Sequence, residues 1–369
     1  MPSASPDAPM CPPAEHAASS WSRRMWPRGF RATMRPRVRA SAALALGLVA
    51  FGAWWPDDLS RDEAWFVRVS WAAFMIRTFW FHAGLALLAD AALAWVVRAR
   101  VTAAVLALVG VAIVWPTVLS FVPRAGAPGP GQSTLTVLSA NLLFGRADAR
   151  KLAGVVASTA PDVIVFQEYT HASAAFLQAT LADQYPHRFE HARDDAFGQA
   201  VYSRLPFAGA PRAFPPGPGW SEPQIRVEVE FDGMRVGIMN IHVMPPTSLS
   251  MIREQRDRTL ALSRLVRDEL AGAARGSALI VAGDLNATPE SEALELLCAA
   301  GLNDAHADAG FGRGSTWPRD TWLKWAPGVR IDHVLASDSL RSIHSGVSAD
   351  IGSDHRPTFA RFVRAPAAR

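Results

Sequence analysis

The segment PDVIVFQE at residues 161–168 decides the fold, because four consecutive apolar residues are followed by a glutamine and the carboxylate of Glu168. A short apolar run of this kind predicts a strand buried on both faces. The segment ALIVAGDLN at residues 278–286 repeats the arrangement, with Asp284 and Asn286 after the apolar run. Both segments predict an α/β domain that carries polar side chains at the ends of its strands.

Other strand ends carry polar residues in the same way. Predicted strands at 134–140 and 234–241 end at Asn141 and His242. A loop before the last predicted strand, 358–363, contains Asp354 and His355. Because ligands commonly bind beyond the carboxyl ends of strands, we expect these residues to converge on one site.

Helical segments alternate with the strands. The Asp232-Gly233 pair predicts a two-residue hairpin turn, and Thr288 is a candidate N-cap. Hairpins mixed with crossover helices indicate mixed sheets covered by helices. The further predicted strands are 200–203, 224–231 and 331–335, and the predicted helices are 147–159, 173–181, 250–270 and 289–299.

Asn141 and Glu168 offer the hard oxygen ligands that Mg²⁺ prefers. Each also has a structural alternative, since Asn often ends a strand as a turn residue and a carboxylate can cap a turn. Alternation points Asp284 and Asn286 the same way, so the Asp could position a water while the Asn amide donates to a phosphoryl oxygen. An Asx turn leading into the Thr288 cap is the alternative.

Asp354 and His355 place an acid beside a base that titrates near neutrality. Asp332 could orient the His355 ring through a hydrogen bond, as carboxylates do in many hydrolytic sites. His242 is a second imidazole. A lone histidine at a strand end is more often structural, but two among carboxylates indicate chemistry.

The N-terminal third has the composition of a membrane region. Residues 1–40 predict a disordered basic tail, with seven arginines between positions 23 and 39. Three apolar segments then predict transmembrane helices at 41–55, 78–97 and 101–122, and a Pro/Gly linker follows at 123–133. The first segment is short enough to be a signal-peptide core instead. Residues 64–76 lie along the interface or extend the second helix.

Arginine placement gives the orientation by the positive-inside rule. The arginine run and the pair Arg98 and Arg100 lie in the cytoplasm, and the acidic loop after Trp55 lies outside. Three spans then place the domain at 134–369 on the periplasmic side of a multi-pass inner-membrane protein.

Charge and cysteine content restrict the function classes. Residues 1–131 carry a net charge of +6 and residues 132–369 a net of −2. A surface that wraps nucleic acid is usually basic, so such a role is disfavoured, although a nuclease with a metal is not. Cys11 and Cys298 have no partner in sequence, so neither a disulfide framework nor a zinc site is expected.

Taken together, these motifs resemble the endonuclease/exonuclease/phosphatase superfamily, over about residues 134–363 and in that family's order. The N-terminal spans resemble those of its membrane-attached bacterial members. The motifs are Leu138-Ser139-Ala140-Asn141, the 161–168 segment, Tyr202-Ser203-Arg204-Leu205-Pro206, Asn240-Ile241-His242, Gly283-Asp284-Leu285-Asn286, Ile331-Asp332-His333 and Ser353-Asp354-His355-Arg356-Pro357.

The resemblance implies a four-layer α/β sandwich, in which two mixed sheets lie between helices. It implies Mg²⁺, with Mn²⁺ as an alternative, and a phosphoester substrate that is a nucleic acid, a phospholipid or a small ester; no protein partner is expected. The resemblance implies that Glu168 is the principal metal ligand, with Asn141 and Asp354 beside it. It implies that Asp284 aligns or deprotonates the attacking water. Asn286, His242 and His355 would bind the phosphate, and Asp332 would orient His355.

Three functional hypotheses remain from the sequence. The main one is a membrane-anchored, divalent-metal-dependent phosphodiesterase or nuclease-like hydrolase. The second is a phosphodiesterase or phosphatase of lipid head groups, slightly favoured by the near-neutral domain charge. The third is a degenerate domain kept as a membrane scaffold, which has no reason to keep a base, an orienting carboxylate and a metal ligand together.

Overall fold

The structure is a computed structural model. It describes residues 28–366 apart from 57, 216, 218, 219, 221, 273–276 and 320–324. The helices are α1 Arg28–Trp54, α2 Ala64–Thr78, α3 Trp80–Val96, α4 Arg100–Leu119, α5 Ala149–Thr159, α6 His171–Leu181, α7 Leu249–Gly272, α8 Glu292–Ala299 and α9 Ala305–Ala309. The strands are β1 Leu135–Asn141, β2 Val163–Gln167, β3 His187–His191, β4 Gln199–Ser203, β5 Arg212–Phe214, β6 Gln224–Phe231, β7 Met234–His242, β8 Ala278–Asp284, β9 Leu302–Asp304, β10 Asp332–Ser337, β11 Leu340–Val347 and β12 Thr358–Arg364.

The strands form two six-stranded mixed sheets of the same design. The first has the order β11-β12-β1-β2-β4-β3 and the second β5-β6-β7-β8-β10-β9. In each sheet the two central strands, β1 with β2 and β7 with β8, are parallel, and the neighbours outside them are antiparallel. The carboxyl ends of the two parallel pairs are therefore the natural place for a shared site.

Three apolar clusters show how the layers pack. Val137 and Val165 belong to a cluster that fills the space between the two sheets. Their neighbours Leu138 and Phe166 face the other way, against α5 and α6, and Leu279 of the second sheet packs in the same manner against α7 and α8. Alternation of apolar residues on both strand faces thus produces a four-layer sandwich, and the predicted fold class is confirmed.

Helix ends differ in detail from the sequence predictions. The predicted N-cap Thr288 is wrong, because α8 begins at Glu292 and the Ser291 hydroxyl accepts from Leu294 N at 3.4 Å. The Thr288 carbonyl instead accepts from both the backbone N–H and the hydroxyl of Ser291, so residues 288–291 form a turn. The helix predicted from 147 begins at Ala149, behind an Asp148 cap.

The N-terminal region also differs from the sequence prediction. Helix α1 begins at Arg28, so the predicted tail at 1–40 is wrong for residues 28–40, and residues 1–27 lie outside the described part of the chain. Arginine, alanine and methionine are good helix formers, which explains why the helix extends through the basic segment. The 123–133 linker contains no helix or strand.

Two helices are long and apolar enough to cross a membrane, Gly29–Trp54 and Arg100–Leu119. The pair α2 and α3 counts as a third candidate if it is one span bent by 71°. By contacts, residues 51–82 form a compact unit with residues 114–369, whereas the described residues up to Ala50 form another with residues 83–113. In the first of these units, Trp71 donates to the Pro246 carbonyl at 3.0 Å and Arg77 pairs with Glu292 at 3.3 Å.

Candidate active site

Strand register brings the predicted site residues to one edge of the sandwich. His242 lies opposite Asp284 in the parallel β7–β8 pair, and Asp332 lies opposite Asp284 in the antiparallel β8–β10 pair. Asn141 ends β1 in the facing sheet. All eight predicted residues therefore lie at strand ends or in loops beside them, although their chemical roles remain predictions.

One half of the site comes from the first sheet and its loops. The Asn141 amide donates to Glu168 Oε1 at 3.0 Å and to Asp284 Oδ2 at 3.2 Å, and the Phe144 backbone N–H donates to Glu168 Oε2 at 3.1 Å. Glu168 has a positive φ of 54°, a conformation that is uncommon for a non-glycine residue. Strained backbone of this kind is often found at functional sites.

Glu168 and Asp354 are carboxylates without a cation. Among the described residues, neither forms an ion pair. Burial raises the pKa of Glu168, and the negative charge of Asp354 acts in the same direction. Asp354 accepts long hydrogen bonds, of 3.3 Å from the Trp317 indole and 3.5 Å from the Ser353 hydroxyl. This oxygen-rich, negatively charged set fits a divalent cation such as Mg²⁺, which prefers hard oxygen ligands.

The second half of the site is a buried cluster of Asp284, Asp332 and His355. His355 Nδ1 lies 2.8 Å from Asp332 Oδ2, and His355 Nε2 lies 3.7 Å from Asp284 Oδ2. Burial opposes a charge on the imidazole, but the carboxylates of Asp332 and Asp284 outweigh it and raise the pKa of His355 to about 10. Burial raises the pKa of Asp284 to about 8. His355 is therefore a cation at neutral pH, and burial favours the protonated form of the Asp284 carboxyl.

His242 approaches the same Asp284 carboxylate, but as a neutral ring, whereas His355 is a cation. Its Nε2 also lies 3.7 Å from Asp284 Oδ2, while its Nδ1 contacts the Ala196 carbonyl at 2.9 Å. Since a carbonyl only accepts, Nδ1 carries the hydrogen and Nε2 presents a lone pair. Burial lowers the pKa of His242 to about 4, so this ring is neutral.

Ligand atoms of Asp284, Asp332 and His355 lie within 4.8 Å of one another, a spacing that could also hold a metal ion. Asp332 and His355 are already bonded to each other, however, which suits them better to holding charge and moving protons. Glu168 and Asp354 form no ion pair among the described residues.

Asn286 forms the turn that the sequence left as an alternative. Its backbone N–H donates to Asp284 Oδ1 at 2.9 Å, which is an Asx turn, and its φ is 48°. Its side-chain amide donates to the Val243 carbonyl at 2.8 Å. The amide carries a second N–H, which is the group that could reach a phosphate.

Sequence reasoning missed several supporting residues. The Gln224 side chain accepts from the His242 backbone N–H at 2.7 Å and from Gln199 at 2.8 Å, and Gln167 donates to Asn240 at 2.7 Å. The Gln199–Gln224 and Gln167–Asn240 bonds join the two sheets near the site. The sequence signal for these residues is a polar side chain next to an apolar run of a strand. Their bonding partners could not be identified, because the partners lie far apart along the chain.

The loop before β10 contributes a further support. The Thr316 hydroxyl accepts from the backbone N–H groups of Ile331 and Asp332, at 3.1 and 3.3 Å. It thereby fixes the start of the strand from which Asp332 reaches His355. A threonine in a loop carries no sequence signal for this role.

Comparisons with known proteins agree with this geometry. The sequence profile described as the Endonuclease/Exonuclease/phosphatase family matches residues 138–355, more than half of the chain, and all eight site residues lie inside that range. Among proteins of curated function, none matches the chain.

Solved structures show the same fold at low sequence identity. An endonuclease/exonuclease/phosphatase from Beutenbergia cavernae DSM 12333 is 21% identical with a TM-score of 0.50, covering 63% of this chain and 72% of its own. A humanized D. rerio TDP2 is 23% identical with a TM-score of 0.51, covering 62% and 98%. D. rerio TDP2 complexed with single strand DNA product is 22% identical with a TM-score of 0.51, covering 62% and 99%.

Proposed function

The chain belongs to the endonuclease/exonuclease/phosphatase family, and on that premise we propose that it is a membrane-anchored phosphoester hydrolase dependent on a divalent metal ion. One observation carries the proposal. Two carboxylates that form no ion pair with any described residue, Glu168 and Asp354, accompany a buried Asp284 that lies close to a neutral and a cationic histidine. Such a site combines a place for a cation with a group that accepts a proton.

The residues divide the chemistry between them. In its ionised form Asp284 holds the attacking water and takes its proton, and burial, which raises the pKa of this carboxyl, makes it a stronger base. The His355 cation, held by Asp332 at 2.8 Å, binds a negatively charged phosphoryl oxygen. The resemblance implies that His242 binds the phosphate, but its Nε2 presents a lone pair, so we propose instead that it accepts a hydrogen bond from the water. The free N–H of Asn286 donates to the phosphate.

Glu168, Asn141 and Asp354 would hold the metal, with Mg²⁺ as the first candidate and Mn²⁺ as the alternative. A bound Mg²⁺ supplies polarisation of the phosphate oxygens and charge stabilisation of the leaving oxygen. The role of Asn141 is to fix the Glu168 carboxylate, to which it donates at 3.0 Å.

The membrane attachment is part of the proposal. Helices α1 and α4 have the length and apolarity of spans, and the α2–α3 pair supplies a third. The arginine distribution would then place the catalytic domain on the periplasmic side of the inner membrane. Two fusions to the C-terminus test this, one with a reporter enzyme active only in the periplasm and one with a reporter active only in the cytoplasm. We expect activity of the first alone, and activity of the second alone would refute the orientation.

The substrate is proposed as a phosphodiester, with a nucleic acid first. A lipid head group is the second candidate, because the catalytic domain carries a net charge of −2 rather than a basic surface. The single-strand DNA in the D. rerio TDP2 structure belongs to that protein, but it makes single-stranded DNA a sensible member of a substrate panel.

The test uses the full chain in detergent, because residues 51–82 contact the catalytic domain. We expect Mg²⁺-dependent hydrolysis of a chromogenic phosphodiester, single-stranded DNA or phospholipid vesicles, with no hydrolysis in EDTA. Asp284→Ala is the control for contaminating activity. Full activity of that variant would refute the assignment, and a chelator-insensitive, inactive protein without Mg²⁺ affinity would favour a scaffold.

A further inference from the structure

A second pocket, of about 350 Å³, lies apart from the catalytic residues, none of which is among its described lining residues. Thr78 and Phe81 form part of its wall, Pro116 and Thr117 of the last turn of α4 form another part, and the loops before α8 and β10 complete it. Small-molecule sites in proteins commonly measure roughly 300–1,000 Å³. The pocket is therefore large enough for a small polar group.

Unpartnered polar atoms are concentrated in this pocket. Among the described residues, five buried side-chain atoms in its lining have no hydrogen-bond partner, although buried polar atoms are nearly always bonded. The atoms are Thr78 Oγ1, Thr288 Oγ1, His306 Nδ1, Arg313 Nη1 and Arg330 Nε. Two hydroxyls and two guanidinium N–H groups make this set rich in donors, which suits an anion.

Arg313 supplies a positive charge to the pocket. Its guanidinium lies 3.8 Å from the Phe81 ring centroid and donates to the Gly328 carbonyl at 2.8 Å. Within the described chain it forms no ion pair, unlike Arg330, which binds Asp304 at 2.6 Å. The carboxylate in the lining, Glu290, is solvent-exposed. A partly buried arginine of this kind is well suited to phosphate.

His306 adds an acceptor to the donors. Its Nε2 contacts the Gly312 carbonyl at 3.0 Å, so Nε2 carries the hydrogen and the unpartnered Nδ1 offers a lone pair. A ligand that fills every position has a phosphate next to a hydroxyl group. The phosphoglycerol head group of an anionic phospholipid has this combination.

The surroundings of the pocket are apolar and exposed. Leu119, Phe121 and Phe311 are 41%, 53% and 59% exposed, and the two phenylalanine rings meet edge to face at 5.5 Å. Apolar side chains beside cationic ones are typical of surfaces that lie in a membrane interface. If α4 spans the membrane, as we propose, its last turn places this pocket at the level of the lipid head groups.

We propose that this pocket binds the phosphoglycerol head group of an anionic phospholipid, with Arg313 and Thr288 donating to the phosphate and His306 accepting from a head-group hydroxyl. Thr288 lies two residues after Asn286, and Arg330 lies two residues before Asp332. A bound lipid therefore contacts both loops that carry catalytic residues. The inference rests on the proposed membrane attachment but not on hydrolytic activity.

Native mass spectrometry of the full chain in detergent tests the site, with phosphatidylglycerol and phosphatidylcholine offered at equal concentration. We expect one retained phosphatidylglycerol and much less phosphatidylcholine. Arg313→Gln removes a charged hydrogen bond and lowers retention about tenfold. Arg341→Gln, an exposed arginine on β11 outside the pocket, is the matched control and leaves retention unchanged.

Further measurements separate the outcomes. Thermal unfolding shows whether Arg313→Gln folds, and Thr288→Val is the substitute if it does not, with a several-fold loss expected. Phosphatidylglycerol retention equal to wild type in a folded pocket variant overturns the site. Release of the lipid by equimolar inorganic phosphate overturns the lipid assignment in favour of free phosphate. Asp284→Asn, which tests hydrolysis, retains the lipid, so failure of one proposal is distinct from failure of the other.

Discussion

The two halves of the active site differ in how their charges are balanced. Asp332 and His355 neutralise each other within a buried cluster, where His355 lies 2.8 Å from Asp332 and 3.7 Å from Asp284. Among the described residues, the hydrogen-bond donors to Glu168 and Asp354 are neutral, and they include the Asn141 amide at 3.0 Å and the Trp317 indole at 3.3 Å. A charge that the protein balances itself is ready for proton transfer, whereas an unbalanced pair of carboxylates needs a cation from outside.

The two histidines beside Asp284, His242 and His355, also differ in charge. Both place Nε2 at 3.7 Å from Asp284 Oδ2. Burial opposes a charge on both rings. At His355 the carboxylates outweigh burial and raise the pKa to about 10, whereas at His242 burial outweighs the hydrogen bond to the Ala196 carbonyl and lowers the pKa to about 4. A carboxylate partner at Nδ1 therefore makes one ring cationic, and its absence leaves the other neutral.

The largest effect is expected from Asp284→Asn, which removes the proton acceptor between the two halves. We expect kcat to fall by about 10²–10⁴, while Mg²⁺ affinity stays close to wild type. Steady-state hydrolysis of a chromogenic phosphodiester measures this. Asp183→Asn, an exposed carboxylate, is the matched control; a variant with more than a tenth of wild-type kcat would contradict the role.

Glu168→Gln removes a carboxylate from the half of the site that we propose holds the metal. We expect the Mg²⁺ concentration for half-maximal activity to rise on the order of 100-fold, since even outer partners of metal ligands contribute about 10–100-fold. Titration of activity with Mg²⁺ measures this shift. Glu295→Gln on α8 is exposed and serves as the control. An unchanged Mg²⁺ requirement would move the metal to the Asp284 cluster.

Asp332→Asn tests whether the His355 cation depends on its partner. Loss of the 2.8 Å contact leaves the ring without its orienting carboxylate, and we expect activity to fall about 10- to 100-fold, the size typical of carboxylates that orient a histidine at metal sites. His333→Asn is unsuitable as a control because His333 is itself buried, so Asp338→Asn is used. Activity within twofold of wild type would show that Asp332 is dispensable.

The smallest effect on turnover is expected from Asp304→Asn, which acts on stability. The Asp304 pKa is lowered: burial opposes the charge, but Arg330 outweighs it at 2.6 Å. Because the folded pKa is below the unfolded value of about 3.9, the pair stabilises the fold above that pH, and this contribution is lost as pH falls towards the folded pKa. Breaking a buried pair costs about 3–5 kcal/mol.

Denaturant unfolding of Asp304→Asn and wild type between pH 3 and pH 7 checks this prediction. Wild type should lose stability below about pH 4, the range of unfolded carboxyl groups, and the variant should be less stable at pH 7 with a flatter pH dependence. Equal pH dependence of the two proteins would refute the contribution of the ion pair.

The sequence predicted the centre of each sheet better than its edges. All eight predicted strands are present, and the four that were missed, β3, β5, β9 and β11, are the outermost strands of the two sheets. Central strands are buried on both faces, so they appear in sequence as apolar runs. Edge strands are half exposed, as the absence of fully buried residues in β3 illustrates, and they lack that pattern.

The site residues, like the central strands, were predictable where an apolar run marks a strand. Asn141, Glu168, His242 and Asp284 were predictable because each ends an apolar central strand. The hydrogen bonds that support these residues were not predictable, because the bonded partners are distant in sequence. Gln167 and Asn240 are 73 residues apart, and Thr316 and Asp332 are 16 residues apart. Contacts of this kind depend on tertiary packing and leave no local pattern.

Isothermal titration of Mg²⁺ into the full chain and the variants Glu168→Gln and Asp284→Asn tests the division of the site most directly. Glu168→Gln should lose Mg²⁺ binding, whereas Asp284→Asn should bind Mg²⁺ as wild type does and yet fail to turn over substrate. Loss of Mg²⁺ binding in Asp284→Asn, with normal binding in Glu168→Gln, would contradict the division.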